Sequence, residues 1–570
     1  MLCSPIIYLQ HIKYYNDKYI VMLTKTCAVR YRPSICFVTS YFSADKISTV
    51  VSVGGQWLAS SLREHDIPFM FFKEPFNKIK PAKLRKELLR LRKRNVKIIG
   101  ISLYGLDFDK AKANIEYIRR VLPDVWIVAG GPTVNSADMK DLAQVLPEVD
   151  CFVKGDSERA FSRLARMLLN MNRYDVLTKR QEMAISRLKG VYFKHFDFVH
   201  HNGRPNVISK KHFNGLQLLW DIQELREDIK EHGYLSLNTR RGCKYRCIFC
   251  SHQFRKKPVA WTAPKIVREL KRIKGLIEAG VLPKEAASVA FCDDDFFQDP
   301  IRAKKFLRMI IEDEALNNYF SFVFESSLPS FLNKDKEVDF DLMELLSQLK
   351  QRRVLLGTDS FSDDELRYFV KNHYGVKEIE KVVEAFEEYK ILNAHFVILT
   401  SYGSTTKSIL DNINKMLDLC KRYPNYFRIK ISNFGLILQS GSALDKLASK
   451  GKIPGIKIYF YVFGEQHCGL IISEDPLVGE FLNGVTQVKY SFDEDINEYR
   501  EALKSGKLKP DNRMLIRFII DTLERMKLQR GSDTFYIEHL TPHIDHALNV
   551  FVLQKLLYIL LNVDPSLVRK

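Results

Sequence analysis

The run YLSLNTRRGCKYRCIFCSHQ (residues 234–253) changes character halfway along. Its first part, LSLNT, alternates apolar and small polar residues as a strand does. Its second part is a basic loop carrying Cys243, Cys247 and Cys250 at Cys-x3-Cys-x2-Cys spacing. Three thiolates this close in sequence can ligate one metal centre. Zinc calls for a fourth ligand, usually from a second paired knuckle. His252 could close such a site, but no second cysteine pair follows within the next forty residues. A four-iron cluster usually takes four cysteines, and three leave one iron open to a cofactor or substrate. The aromatic Phe249 stands immediately before the third cysteine.

Downstream, strand patterns alternate with helical ones. SVAFCDDDFFQD (288–299) is an apolar strand ending in Asp293-Asp294-Asp295, after which Asp299-Pro300 opens a helix as N-cap and first helical residue. FSFVFESS (320–327) is a strand reaching Glu325, and RVLLGTDSFSDDEL (353–366) is a strand running into Asp359 and Ser360. HFVILTSYGST (395–405) and FRIKISNFGLILQSGSAL (427–444) repeat the pattern. Strand followed by helix over 231–445 predicts a partial parallel (β/α)6 barrel, with its site at the carboxyl ends of the strands. The plain alternative for the three aspartates is helix capping and solvation. Cys292, inside a strand, reads as core.

Upstream, five short apolar strands alternate with helices across 31–175: ICFVT (35–39), PFMFF (68–72), VKIIGIS (96–102), VWIVAGG (125–131) and CFVKG (151–155). This predicts a doubly wound parallel sheet. The flavodoxin-like strand order puts the ligand crevice at the carboxyl ends of the first and third strands. Ser102 and Tyr104 lie there, with Gly130, Gly131, Pro132 and Thr133 beside them. No acidic residues mark a phospho-acceptor site, and no Gly-x-Gly-x-x-Gly follows the first strand. What remains is small residues, hydroxyls and a double glycine, which allow close backbone approach to a bulky ligand or simply make a tight turn. Residues 1–30 read as an extension, 176–230 as a linker with hairpin character, and 446–570 as a mainly helical C-terminal region.

The chain has 570 residues, 88 Lys plus Arg and 68 Asp plus Glu, for a formal charge of +20. The basic residues cluster on amphipathic helices such as KLRKELLRLRKR (83–94), so solvated helix faces explain the charge better than nucleic acid does. Ten cysteines are too sparse for a disulfide framework and suit a reducing, cytoplasmic setting. No apolar run is long enough to span a membrane.

GCKYRCIFC resembles the signature of the radical S-adenosylmethionine (SAM) enzymes, and the resemblance implies a [4Fe-4S] cluster on Cys243, Cys247 and Cys250 whose open iron holds S-adenosylmethionine. It places Phe249 near the adenine and gives Asp294, Glu325, Asp359 and Ser360 cofactor roles on a radical SAM barrel. VKIIGISLYG…VWIVAGGPTVNS…VDCFVKGDSERAF is similar to the cobalamin-binding domain of the cobalamin-dependent branch. The matching features are Ser102, the Gly130-Gly131-Pro132 turn, and Gly155 with Glu158; Tyr104 and Thr133, beside them at the crevice, are expected to bind the same cofactor. The Asp-x-His-x-x-Gly motif that supplies a cobalt ligand elsewhere is missing from TSYFSADKISTVVSVGG, leaving the lower face of cobalt unassigned. The implied activity is methylation of an unactivated carbon by a 5′-deoxyadenosyl radical and methylcobalamin, on a small-molecule or peptide substrate, with a flavodoxin or ferredoxin as electron donor. Alternatives are a cobalamin-assisted rearrangement or cyclisation, a tRNA methylthiotransferase-like enzyme without cobalamin, and a non-enzymatic zinc protein. The second alternative expects three further cysteines in the N-terminal unit, whose sheet holds only Cys36 and Cys151, with Cys27 just before it, at unmatched spacing.

Overall fold

A computed structural model describes residues 34–39, 51–72, 79–103, 108–250, 257–369, 374–438, 442–448, 450–451, 457–459, 462–463, 466–467, 469–473, 475–482, 550, 552–554 and 556–569. Two parallel sheets dominate it. The first contains β1 (Ile35–Thr39), β2 (Phe69–Phe71), β3 (Ile98–Ser102), β4 (Trp126–Gly130), β5 (Cys151–Val153), β6 (Val191–His195) and β7 (Phe198–His201), in spatial order 2-1-3-4-5-6-7. The first five are parallel in the flavodoxin-like order, while β6 and β7 form a hairpin added antiparallel to β5. Residues 191–201, in the segment read as a linker, thus extend the sheet.

Period-two alternation explains why this sheet is covered on both faces. Ile35 and Phe37 face one core with Trp57, Phe161 and Leu164, while Cys36 and Val38 face a second with Leu88, Ile115 and Leu142. The register aligns Thr39, Ser102 and Gly130 across the carboxyl edge. The chain turns there into helices, of which α1 (Val53–Arg63) and α2 (Glu158–Leu169) matter for the site.

The second sheet contains β8 (Leu235–Leu237), β9 (Ser288–Phe291), β10 (Ser321–Ser327), β11 (Arg352–Asp359), β12 (Leu392–Thr400) and β13 (Phe427–Gly435). All are parallel and lie in sequence order across it, which is the partial six-stranded barrel expected. Phe291, Phe322 and Phe324 point outward against the helices, with Phe291 and Phe324 stacked at 5.2 Å. Alternate residues, among them Ser236 and Glu325, point into the open interior. One face of the first sheet and the barrel share a single hydrophobic core. Beyond β13, short strands Ile437–Leu438, Lys457–Tyr459 and Gly469–Ile472 form a small antiparallel sheet. Positions 552–554 and 556–563 are helical; residues 483–549 of the region expected to be mainly helical lie outside the described residues.

Candidate active site

The cysteine loop leaves β8 at the carboxyl end of the barrel and is held by the acidic triplet after β9. Asp293, fully buried, accepts hydrogen bonds from Thr239 N (2.5 Å), Thr239 Oγ1 (2.7 Å) and Arg240 N (2.8 Å), and pairs with Arg302 at 3.3 Å. Asp294 Oδ2 accepts the Gly242 amide at 2.5 Å. Asp295 accepts the hydroxyls of Ser326, Ser327 and Ser330 on the neighbouring strand and turn. Gln298 accepts the Lys244 amide at 2.8 Å and donates from Nε2 to Cys243 Sγ at 3.0 Å. Asp293, Asp294 and Gln298 thus fix the loop around its first cysteine, while Asp295 ties the end of β9 to the neighbouring strand.

Cys243, Cys247 and Cys250 form no disulfide among the described residues and are partly exposed on this one loop. Burial pushes the Cys243 thiol up, and hydrogen bonds from the Tyr245 backbone and Gln298 pull it back. Among the described residues no three His, Cys, Asp or Glu side chains are closed into a metal-binding group. Three uncrosslinked sulfurs presented by a loop whose root is tied down remain a donor set suited to an iron–sulfur cluster.

A cavity of about 620 Å³ opens between the loop and the first sheet, in the size range of cofactor and small-molecule sites. From the sheet side it is lined by Ser102, Gly130, Gly131, Pro132, Gly155 and Glu158; from the barrel side by Gly242, Cys292, Asp294 and Glu325. The two sets of residues singled out in sequence thus border one space. Glu325 is open to the cavity yet otherwise enclosed by protein. Burial first, then Asp293 and Asp294, raise its carboxyl from 4.5 to about 7, with Lys430 opposing.

The remaining expected residues are distributed as follows. Gly131 has φ +92°, and a Cβ there would stand 2.7 Å from Ser102 Oγ and 3.0 Å from the Leu103 amide. Gly155, at φ +88°, would bring a Cβ to 2.3 Å from the Asn206 carbonyl oxygen. Both glycines therefore serve close backbone approach as well as the cavity wall. Thr133 is buried behind it, its amide bonded to the Leu103 carbonyl at 3.2 Å. Tyr104 lies outside the described residues, as does His252. Phe249 packs edge-on against Phe369 at 5.6 Å, in a small apolar cluster with Ile398 and Leu436. Asp359 ends β11 with φ +67°, a backbone conformation costly for a residue with a Cβ and often found at functional sites. Ser360 is fully buried, and its hydroxyl accepts the Ser362 amide at 3.1 Å. Asp359 and Ser360 share the barrel's carboxyl edge without lining the cavity.

Two features escaped the sequence. Cys292, expected in the core, stands on the cavity wall, because its parity after β9 turns it to the barrel interior. Burial, with Glu325 adding and Ser236 opposing, pushes its thiol up to about 12. Gln298 reaches the first cysteine from a short 3-10 turn, Phe296–Gln298. The only local hint of Gln298 was a polar residue among phenylalanines.

Residues 237–416 match the Radical SAM superfamily. No curated protein matches the chain in sequence. Among solved structures, the cobalamin-dependent S-adenosylmethionine radical enzyme OxsB, with aqua-cobalamin and S-adenosylmethionine bound, superposes with a TM-score of 0.60 at 13% identity, covering 94% of this chain and 81% of OxsB. The radical S-adenosylmethionine methyltransferase TsrM from Kitasatospora setae, with tryptophan substrate and a SAM analogue bound, gives 0.57 at 15% identity, covering 75% of this chain and 79% of TsrM. A second TsrM structure, with cobalamin and a [4Fe-4S] cluster bound, gives 0.55 at 16% identity over 75% and 77%. Residues 237–416 are therefore a Radical SAM superfamily domain, set in a chain that shares the fold of cobalamin-dependent S-adenosylmethionine radical enzymes.

Proposed function

We propose that this chain is a cobalamin-dependent radical SAM C-methyltransferase acting on an unactivated carbon. The observation that carries the reading is the cavity bordered by both the carboxyl edge of the first sheet and the mouth of the barrel. When bound, the cluster with S-adenosylmethionine supplies a hydrogen-abstracting 5′-deoxyadenosyl radical, and cobalamin supplies the methyl group. Cys243, Cys247 and Cys250 would hold the cluster, with Asp294 and Glu325 facing S-adenosylmethionine from the barrel wall. Ser102, Gly130, Gly131 and Gly155 would cradle cobalamin, since they present backbone without bulky side chains. The chain's own work is to orient these groups and keep water from the reacting carbon. TsrM, a methyltransferase of the same fold, supports methyl transfer as the outcome.

The domain division that fits this reading is a cobalamin-binding domain over 31–175, a barrel over 231–445 and a C-terminal domain over 446–570. The substrate is a small molecule or peptide, and the electron donor a cytoplasmic flavodoxin or ferredoxin. Among the described residues no helix is long and apolar enough to cross a membrane.

The test is iron, sulfide and cobalt content of protein purified without oxygen from cells supplied with cobalamin, followed by incubation with S-adenosylmethionine and a reductant. About four irons and one cobalt per chain, with both 5′-deoxyadenosine and S-adenosylhomocysteine formed, would support the methyltransferase. 5′-Deoxyadenosine without S-adenosylhomocysteine would shift the reading to a rearrangement or cyclisation, and iron without cobalt would remove cobalamin. Changing any one of the three loop cysteines to Ser is expected to lower iron and abolish 5′-deoxyadenosine.

A further inference from the structure

Arg241 sits immediately before Gly242 and two positions before the first cysteine, yet its side chain belongs to the other sheet. Its Nη1 donates to Glu158 Oε1 at 2.6 Å and to Asp156 Oδ1 at 3.1 Å, both at the carboxyl edge of the first sheet. All three side chains are largely buried. The guanidinium also lies 5.1 Å from the ring centroids of both Trp57 and Phe213.

The acceptors are anchored in turn. Asp156 Oδ2 accepts the Ile208 amide at 2.9 Å, and the Asp156 amide donates to the Asn206 carbonyl at 2.9 Å. Glu158 opens α2, where the helix N-terminus favours its negative charge. A planar guanidinium can both bridge two carboxylates and stack on aromatic rings, which an ammonium does poorly. On the other side, the amide of Gly242 is tied to Asp294. A continuous path of charged hydrogen bonds therefore runs from the edge of the first sheet, through Arg241, to the root of the cysteine loop.

We propose that Arg241, with Asp156 and Glu158, is a positioning latch that fixes the cysteine loop against the first sheet and so sets the separation of the two cofactor sites. Glu158, which family resemblance assigns to cobalamin, acts here through Arg241. The part concerning separation rests on the proposed function; the latch itself does not.

The experiment compares full-length wild type, Arg241→Gln and the double variant Glu158→Gln/Arg241→Gln, which removes the carboxylate that the single change would leave buried and unpaired. Hydrogen exchange on apo protein is read at 151–158 and at 240–250. Both segments are expected to exchange on the order of tenfold faster in both variants, with distant β11 and β12 unchanged. Protein loaded with the cluster and hydroxocobalamin is then reduced, and the magnetic coupling between the reduced cluster and cob(II)alamin is measured by electron paramagnetic resonance. A narrow coupling in wild type that broadens in both variants, at unaltered iron and cobalt content, supports the latch. Exchange unchanged at either segment, or an unaltered coupling, overturns it. A wild-type chain that binds no cobalamin would fail the proposed function, and exchange alone would then decide the latch.

Discussion

Glu325 meets the cavity on one side and the acidic end of β9 on the other, and its carboxyl is raised from 4.5 to about 7 by burial, Asp293 and Asp294. The folded chain therefore holds this proton more tightly than the unfolded chain. Between pH 4.5 and 7 the native state binds more protons, so this group makes stability fall as pH rises through that window. Below the unfolded value both states are protonated and the group contributes nothing. Because the side chain is open to the cavity, solvent screening reduces the effect to about 1 kcal/mol above pH 7. Glu325→Gln is thus expected to exceed wild type by about 1 kcal/mol at pH 8 and to match it at pH 4.5. Urea midpoints at the two pH values check this, and equal midpoints at both would refute it. The sequence showed Glu325 near the end of a strand, at the barrel's functional face. Its altered acidity was not legible, because Asp293 and Asp294 reach it from another strand.

At the scale of elements, the turn after β4 shows why one glycine of a pair is required. Gly131 has φ +92° and no room for a Cβ between Ser102 and Leu103. Gly131→Ala is expected to cost about 2 kcal/mol, from left-handed strain and the clash. Gly54, in the first turn of α1, lines the same cavity, but a Cβ there meets nothing within 4 Å. Gly54→Ala is expected to be neutral or to stabilise by about 0.5 kcal/mol, since alanine favours the helix. Thermal unfolding of the pair separates backbone need from mere proximity to the cavity. The elements themselves were legible: five strands of the first sheet and six of the barrel fall where the apolar runs do. The hairpin β6–β7 was less so, because its pairing with β5 joins residues far apart in sequence.

Across the whole molecule, the two sheets are joined by one hydrophobic core with Trp57 near the seam. Its indole lies 5.0 Å from Phe213 and 5.6 Å from Trp261, and Arg241 stacks on it. A shared core couples the unfolding of its parts, so wild type is expected to melt in one main transition. Trp57→Ala would leave a large void and is expected to cost about 3–5 kcal/mol. Calorimetry should then resolve separate transitions for the first sheet and the barrel. A single transition lowered as a whole would mean that the polar latch and remaining contacts suffice to couple them.

The Cys243–Cys250 loop, the two runs of alternating strands and helices, and the acidic triplet were determined by sequence alone, because spacing and periodicity are local properties of the chain. The shared cavity and the pairing of Arg241 with Asp156 and Glu158 were decided only by tertiary structure. They depend on the angle and distance at which two sheets pack. That geometry is set by the summed fit of a buried core drawn from distant segments, and no single motif encodes it.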